Sequence, residues 1–323
     1  MVSRKTFLLL PMIAMALAGP WAAPRAHSAD DLRIIAPAKP GGGWDQTARA
    51  LQEVIQSQGL AKAVTVENVA GAGGTVGLAQ LVSREKGKGN VLMVNGLVMM
   101  GAILTNNSPV GLAQTTPIAR LTGEYEVVVV PASSAIKTLA DLVAKLKTDA
   151  ASAAIGGGSA GGTDHILAGL VVKAAGGDVK RLNYIPYSGG GEALAAILGG
   201  HVTAGISGYG EWEGQIKSGG LRALAISAPE RVPGIDIPTM KEQGVDVVLA
   251  NWRAVIAPPG IDEAQRRALL AVVDGAVRSE PWKALLAKRS WTDLYLPGDA
   301  FAKLVADENV RVAEILKAIG LVQ

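Results

Sequence analysis

Residues 153–170 read AAIGGGSAGGTDHILAGL. A short apolar run leads into Gly156–Gly162, where five of seven residues are glycine, and then into a segment with helical character. Strand, glycine turn and helix form the repeating unit of a layered α/β fold. The turn also contains Gly157-Gly158-Ser159-Ala160-Gly161, a G-x-S-x-G string. That string marks the nucleophile elbow of serine hydrolases. A glycine turn at a helix start is equally an anion cradle, because the first N–H groups of a helix lack intrahelical partners and carry partial positive charge. Ser159 is therefore either a nucleophile or one hydroxyl donor among backbone donors.

The same unit recurs on both sides. Pro40-Gly41-Gly42-Gly43 and Ser188-Gly189-Gly190-Gly191 also sit between an apolar run and a helical pattern. Strands are expected at 32–36, 64–67, 91–95, 127–130, 153–155, 182–185, 202–206, 221–226, 245–249 and 254–256. Helices are expected at 45–58, 75–83, 139–147, 163–175, 192–198, 262–278, 281–288 and 299–319. This alternation predicts parallel strands joined by crossover helices. In such sheets ligands bind beyond the carboxyl ends of the strands. The chain crosses near 125–131 and 250–256, which predicts two lobes with a ligand cleft between them: 30–127 plus 254–323, and 128–253.

Residues 1–29 read as a signal peptide. Arg4 and Lys5 precede an apolar Phe7–Ala18, too short to span a bilayer, and cleavage is expected after Ser28 or Ala29. The whole chain has 31 Lys and Arg against 28 Asp and Glu; removing Arg4, Lys5 and Arg25 leaves 28 of each. No basic field remains to attract nucleic acid. Cysteine is absent, and only His165 and His201 lie outside the leader. No disulfide, thiolate chemistry, metal site or cofactor is expected, and a free periplasmic protein is. Nucleotide fingerprints fail on spacing.

A serine triad lacks its base. No histidine occurs in the last 122 residues, His165 lies on the same helix as the glycine turn, and His201 precedes a strand. No catalytic residue is assigned. Asp45 and Asp164 follow their glycine turns and either cap the helices or hold the loop N–H groups toward a ligand. Arg253, beside Trp252 in an apolar run, is either half of an internal ion pair or a guanidinium aimed at a ligand carboxylate.

Five segments together carry a family resemblance: PAKPGGGWDQTARALQ, VTVENVAGAGGTVG, IGGGSAGGTDH, NYIPYSGGGEALAAILGGHVTAGI and IPTMKEQG. In this order they resemble the substrate-binding receptors of tripartite tricarboxylate transporters, the TctC-like proteins of the Bug family. The resemblance covers nearly all of the mature chain. It implies a type II periplasmic binding protein that passes a carboxylated metabolite to one large and one small membrane subunit. A sensor-kinase ectodomain is the alternative partner, and a monomer is expected. It further implies that Gly41, Gly42, Gly43 and Asp45 serve one lobe and Ser159, Ala160, Gly161 and Thr163 the other. Gly96, Gly189, Gly190 and Arg253 complete the expected ligand-binding set. APAKPGGGWD, GGGE and Arg253 resemble the citrate-binding branch, so a tricarboxylate is expected. Asn95-Gly96-Leu97-Val98 departs from that pattern in being less polar.

Overall fold

The computed structural model describes residues 29–187 and 190–323. The expected signal peptide, apart from Ala29, and Gly189 lie outside the described residues. The chain runs β1 (Ala29–Ala36), α1 (Gly43–Ser57), β2 (Ala61–Asn68), α2 (Thr75–Arg84), β3 (Val91–Gly96) and α3 (Leu97–Thr105). It continues through β4 (Thr116–Pro131), α4 (Leu139–Thr148), β5 (Ile155–Gly157), α5 (Thr163–Ala174), β6 (Tyr184–Pro186), α6 (Gly190–Leu198), β7 (Ala204–Gly208) and α7 (Tyr209–Lys217). It closes with β8 (Leu221–Ile226), β9 (Ala250–Ala257), α8 (Glu263–Val277), α9 (Glu280–Lys288), β10 (Thr292–Pro297) and α10 (Gly298–Ala318).

β4 is the axis of the molecule. Its first part, to Tyr125, pairs with β9 on one edge and β10 on the other, giving the order β2-β1-β3-β9-β4-β10. From Glu126 onward it pairs with β7 and β8, giving β8-β4-β7-β5-β6. β1, β2 and β3 are parallel, as are β5, β6 and β7. β9 and β10 in one half, and β7 and β8 against β4, run antiparallel. The purely parallel expectation is thus corrected to a mixed sheet, because the strands that carry the chain between halves return without a crossover helix.

Helices cover both faces. α1, α8 and α9 bury Leu51, Ile55, Leu269, Val273 and Trp282 against one side of the first half. α6 and α7 bury Ile197 and Trp212 against the second. The largest cluster runs through both halves and includes residues of α2, α3, α4, α5 and α10. In it Phe301 meets Trp252 edge-on at 6.0 Å, a pairing that contributes about 1 kcal/mol beyond area burial.

Four elements escaped periodicity. α3, LVMMGAILT, is apolar all round and gives no amphipathic stripe. α7 carries Gly210 and Gly214, β10 is short, and the first part of β4 is broken up by Pro117, Arg120 and Glu124. Conversely, 245–249 is not a strand. It has no ladder partner; Leu249 N–H donates to Ser227 O and Val248 O accepts from Arg311.

Candidate functional site: a cleft between the halves

Three adjoining hollows form one cleft. The inner one, about 170 Å³, is lined by Glu126, Ser159, Thr163, Asp164, Gly190 and Glu211, with Val98 and Asn251 facing them from the first half. The middle one, about 330 Å³, shares Val98, Asn251 and Glu211 and adds Gly43, Trp44, Glu124 and Arg253. The mouth, about 610 Å³, adds Gly41, Gly42, Arg289 and Trp291. The size suits a small metabolite.

Helices α1, α3, α5 and α7 begin at this cleft. Each has a glycine at its N-cap (Gly42, Gly96, Gly162, Gly208) and no side-chain cap. By contrast α4, α8 and α9 are capped by Thr138, Asp262 and Ser279. Uncapped first turns leave their N–H groups to a ligand or water.

The glycine turns hold anions, but those anions belong to the protein. Gly41 N–H donates to Asp45 at 2.7 Å, Gly158 N–H to Asp164 at 2.6 Å, and Gly190 N–H to Glu211. Asp45 is 2% exposed and also accepts from Arg49 at 3.0 Å and Asn68 at 2.8 Å. Burial opposes its charge, but the hydrogen bonds from Arg49, Gly41 and Asn68 outweigh it and hold the carboxyl below its ordinary range. Asp45 is fully engaged in shaping the first turn and does not line the cleft.

Arg253 is an internal pair partner. Its Nη2 lies 2.5 Å from Glu124 Oε1, with the side chains 11% and 12% exposed, and its Cζ sits 5.0 Å from the Trp291 ring centroid. A Cβ on Gly43 would fall 3.0 Å from Arg253 Nη2, so glycine there lets the guanidinium pass. Glu124 offsets the positive charge that the tricarboxylate expectation relied on.

Beyond that pair the inner cleft is acidic. Glu126 is fully buried; burial and the neighbouring Asp164, Glu124 and Glu211 carboxyls push it well above the usual carboxylate range. Burial likewise raises Glu211, with Glu124 adding to the effect. Burial raises Asp164 to about 7, against the Gly158 hydrogen bond. His165 stacks on Tyr184 at 4.0 Å, and burial lowers it to about 4. Its Nδ1 accepts from Gly161 N–H at 3.3 Å, so it is turned to the loop backbone rather than to Ser159. The elbow has the strand–turn–helix shape, and its nearby histidine is engaged by the Gly161 N–H.

The cleft therefore brings together Gly41, Gly42, Gly43, Ser159, Thr163, Gly190 and Arg253. Gly96 and Gly161 serve packing instead. Gly96 lies under Trp252 O, where a Cβ would approach to 2.5 Å. Gly161, at φ +75°, lies against Thr105 of α3, and a Cβ on Gly101 would fall 2.0 Å from Gly161 O. Ala160 is exposed beside Ser159 and does not line the hollows. Sequence reading missed Trp44, Glu124, Glu126, Glu211 and Asn251. The period-2 spacing of Glu124 and Glu126, running into Val127–Val130, was the available signal for two carboxyls on one strand face.

Two α/β halves joined at β4 and β9, with helix starts converging on the gap, define a two-lobed periplasmic solute-binding fold. The tripartite tricarboxylate transporter family receptor model matches residues 47–321, and the chain belongs to that family. BugT of Bordetella pertussis is 29% identical over 300 residues, covering 91% of this chain and 90% of its own. A TctC solute-binding protein from Polaromonas superposes with TM-score 0.77 at 24% identity, covering 90% of this chain and 99% of its own. MatC of Rhodopseudomonas palustris, solved with malate, superposes at 0.71 with 22% identity, covering 89% and 99%. A further R. palustris protein, solved with adipate, superposes at 0.74 with 20% identity, covering 90% and 97%. These structures share the fold, and the Polaromonas protein among them is a solute-binding protein. Among the described residues no helix is long and apolar enough to cross a membrane.

Proposed function

We propose that this chain is the periplasmic receptor of a tripartite transporter. It captures a small acid between its lobes and delivers it to the large and small membrane subunits. The observation that carries this reading is the convergence of uncapped helix starts on one cleft. Gly43 and Trp44, in the first turn of α1, line the middle hollow, and Ser159 and Thr163, at the start of α5, line the inner hollow that adjoins it. A carboxylate suits such donors. We assign the lobes from the strand pairing: one of 30–125 with 250–323, the other of 126–249, which moves the second expected crossing four residues earlier.

The proposed ligand carries one or two carboxylates rather than three. Arg253 is already neutralised by Glu124, and among the described residues no other Lys or Arg lines the inner or middle hollow to meet a third. The dicarboxylates malate and adipate, bound by two structural neighbours, accord with this. The test is calorimetric titration of ligand-stripped protein with malate, adipate, butyrate and citrate, with Trp44 and Trp291 fluorescence as a second readout. A mono- or dicarboxylate should bind at micromolar strength or tighter and citrate at least tenfold more weakly. Preferred binding of citrate would refute the charge argument, and no response to any acid would refute the receptor reading.

A further inference from the structure

We propose that the inner end of the cleft, between Glu126, Asp164 and Glu211, receives a protonated amine, so that the captured acid also carries an ammonium group. The inference rests on the receptor reading and deepens it.

Three observations converge. Asp164 and Glu211 lie in the first turns of α5 and α7, where an acid complements the helix terminus. Glu126 has no such explanation. It lies on β4, is 0% exposed and lines the inner hollow; apart from a carboxyl–carboxyl contact with Asp164, neither of its oxygens has a hydrogen-bond partner. A buried carboxyl that meets only another carboxyl is rare outside functional sites. Thr163 is a second orphan and is not an acid. It is 3% exposed, lines the same hollow, and its Oγ1 has no partner. An ammonium presents three donors, and Glu126, Thr163 Oγ1 and either Asp164 or Glu211 present three acceptors.

The carboxyls are built in. A Cβ on Gly190 would lie 1.7 Å from Glu211 Oε2, one on Gly208 2.8 Å from Glu124 Oε2, and one on Gly158 3.1 Å from Asp164 Oδ2. Bare glycines thus make room for Asp164 and Glu211 at the inner hollow and for Glu124 in the middle one beside it. Among the described residues lining the inner and middle hollows, Arg253 is the only Lys or Arg, and Glu124 holds it.

The titration behaviour fits. The groups facing the hollow are Glu126, Asp164 and Glu211, with the Glu124–Arg253 pair beside them. His165 and Tyr184, packed behind, are both held neutral, His165 by burial and Tyr184 by burial with the adjoining Asp164 and Glu126. Without a cation, burial and mutual repulsion favour the protonated acids; an ammonium favours the ionised ones. Binding an amine should therefore release protons, and its affinity should fall as pH drops below about 7.

The test compares aspartate with succinate and 4-aminobutyrate with butyrate by calorimetry at pH 7.5 and 5.5, in two buffers of different ionisation enthalpy. The amine-bearing member should bind at least tenfold tighter at pH 7.5, release protons, and weaken at least fivefold at pH 5.5. Glu126→Gln and Asp164→Asn should each erase most of the preference. Equal or tighter binding of the amine-free acid, with proton uptake, would overturn the ammonium pocket and leave the receptor standing. Silence from both members of both pairs would overturn the two together.

Discussion

Replacing Arg253 by Met should destabilise the protein more than it weakens ligand binding. The guanidinium sits 2.5 Å from Glu124 with both side chains about nine-tenths buried. Removing one partner of a fully buried pair costs about 3–5 kcal/mol, because the other charge stays buried and unpaired. Residual solvent access at the cleft lowers that to about 2–3 kcal/mol, and the lost contact with Trp291 adds about 0.5 kcal/mol. A loss near 3 kcal/mol lowers the melting temperature by about 6 °C in a chain of this size. Urea denaturation and calorimetry of Arg253→Met, Glu124→Gln and the double variant measure it. The double variant should recover to within about 1 kcal/mol of the parent, since no unpaired charge remains. Glu124→Gln alone should free the guanidinium and raise citrate affinity at least tenfold. If Arg253→Met abolishes binding while stability stays within about 0.5 kcal/mol, Arg253 is a ligand residue and the pair is incidental.

Five further outcomes are expected. Asp164 rises from an ordinary 3.8 to about 7 and Glu126 rises with it, so the folded state holds protons the unfolded chain has released. Stability of the ligand-free protein should then fall between pH 5 and pH 8, by up to about 1.4 kcal/mol per pH unit per proton, and Asp164→Asn with Glu126→Gln should flatten the profile. Gly101→Ala, with its Cβ 2.0 Å from Gly161 O, should cost about 3 kcal/mol by thermal unfolding. Gly161→Ala should weaken binding by displacing the α5 turn from Thr105, and Thr105→Ser should restore part of the loss; unchanged affinity in Gly161→Ala would show that this contact does not set the cleft. Asp45→Ala should cost about 2 kcal/mol in urea unfolding, leaving Gly41 N–H and Asn68 without their acceptor. Ser159→Ala should lower affinity about tenfold by titration, as loss of one hydroxyl donor.

The sequence by itself determined the elements whose signals are local. Alternating glycine turns, apolar runs and amphipathic helices placed α1, α2, α4, α5, α8 and α10 within a few residues, because capping, stop signals and a one-sided apolar stripe depend on neighbours in the chain. The lack of a base for Ser159 was equally legible, since a missing histidine needs no fold to be counted. What Arg253 and the glycine turns do was decided only in three dimensions. Glu124 is 129 residues from Arg253, and Glu211 reaches back over Gly190 from another helix. β4, half apolar and half charged, was visible only in its Val127–Val130 part, yet it carries both halves and sets Glu124 and Glu126 at the cleft. A glycine turn announces that something charged approaches the backbone. Whether that charge is a ligand or the protein's own carboxyl depends on long-range packing that local propensity does not encode.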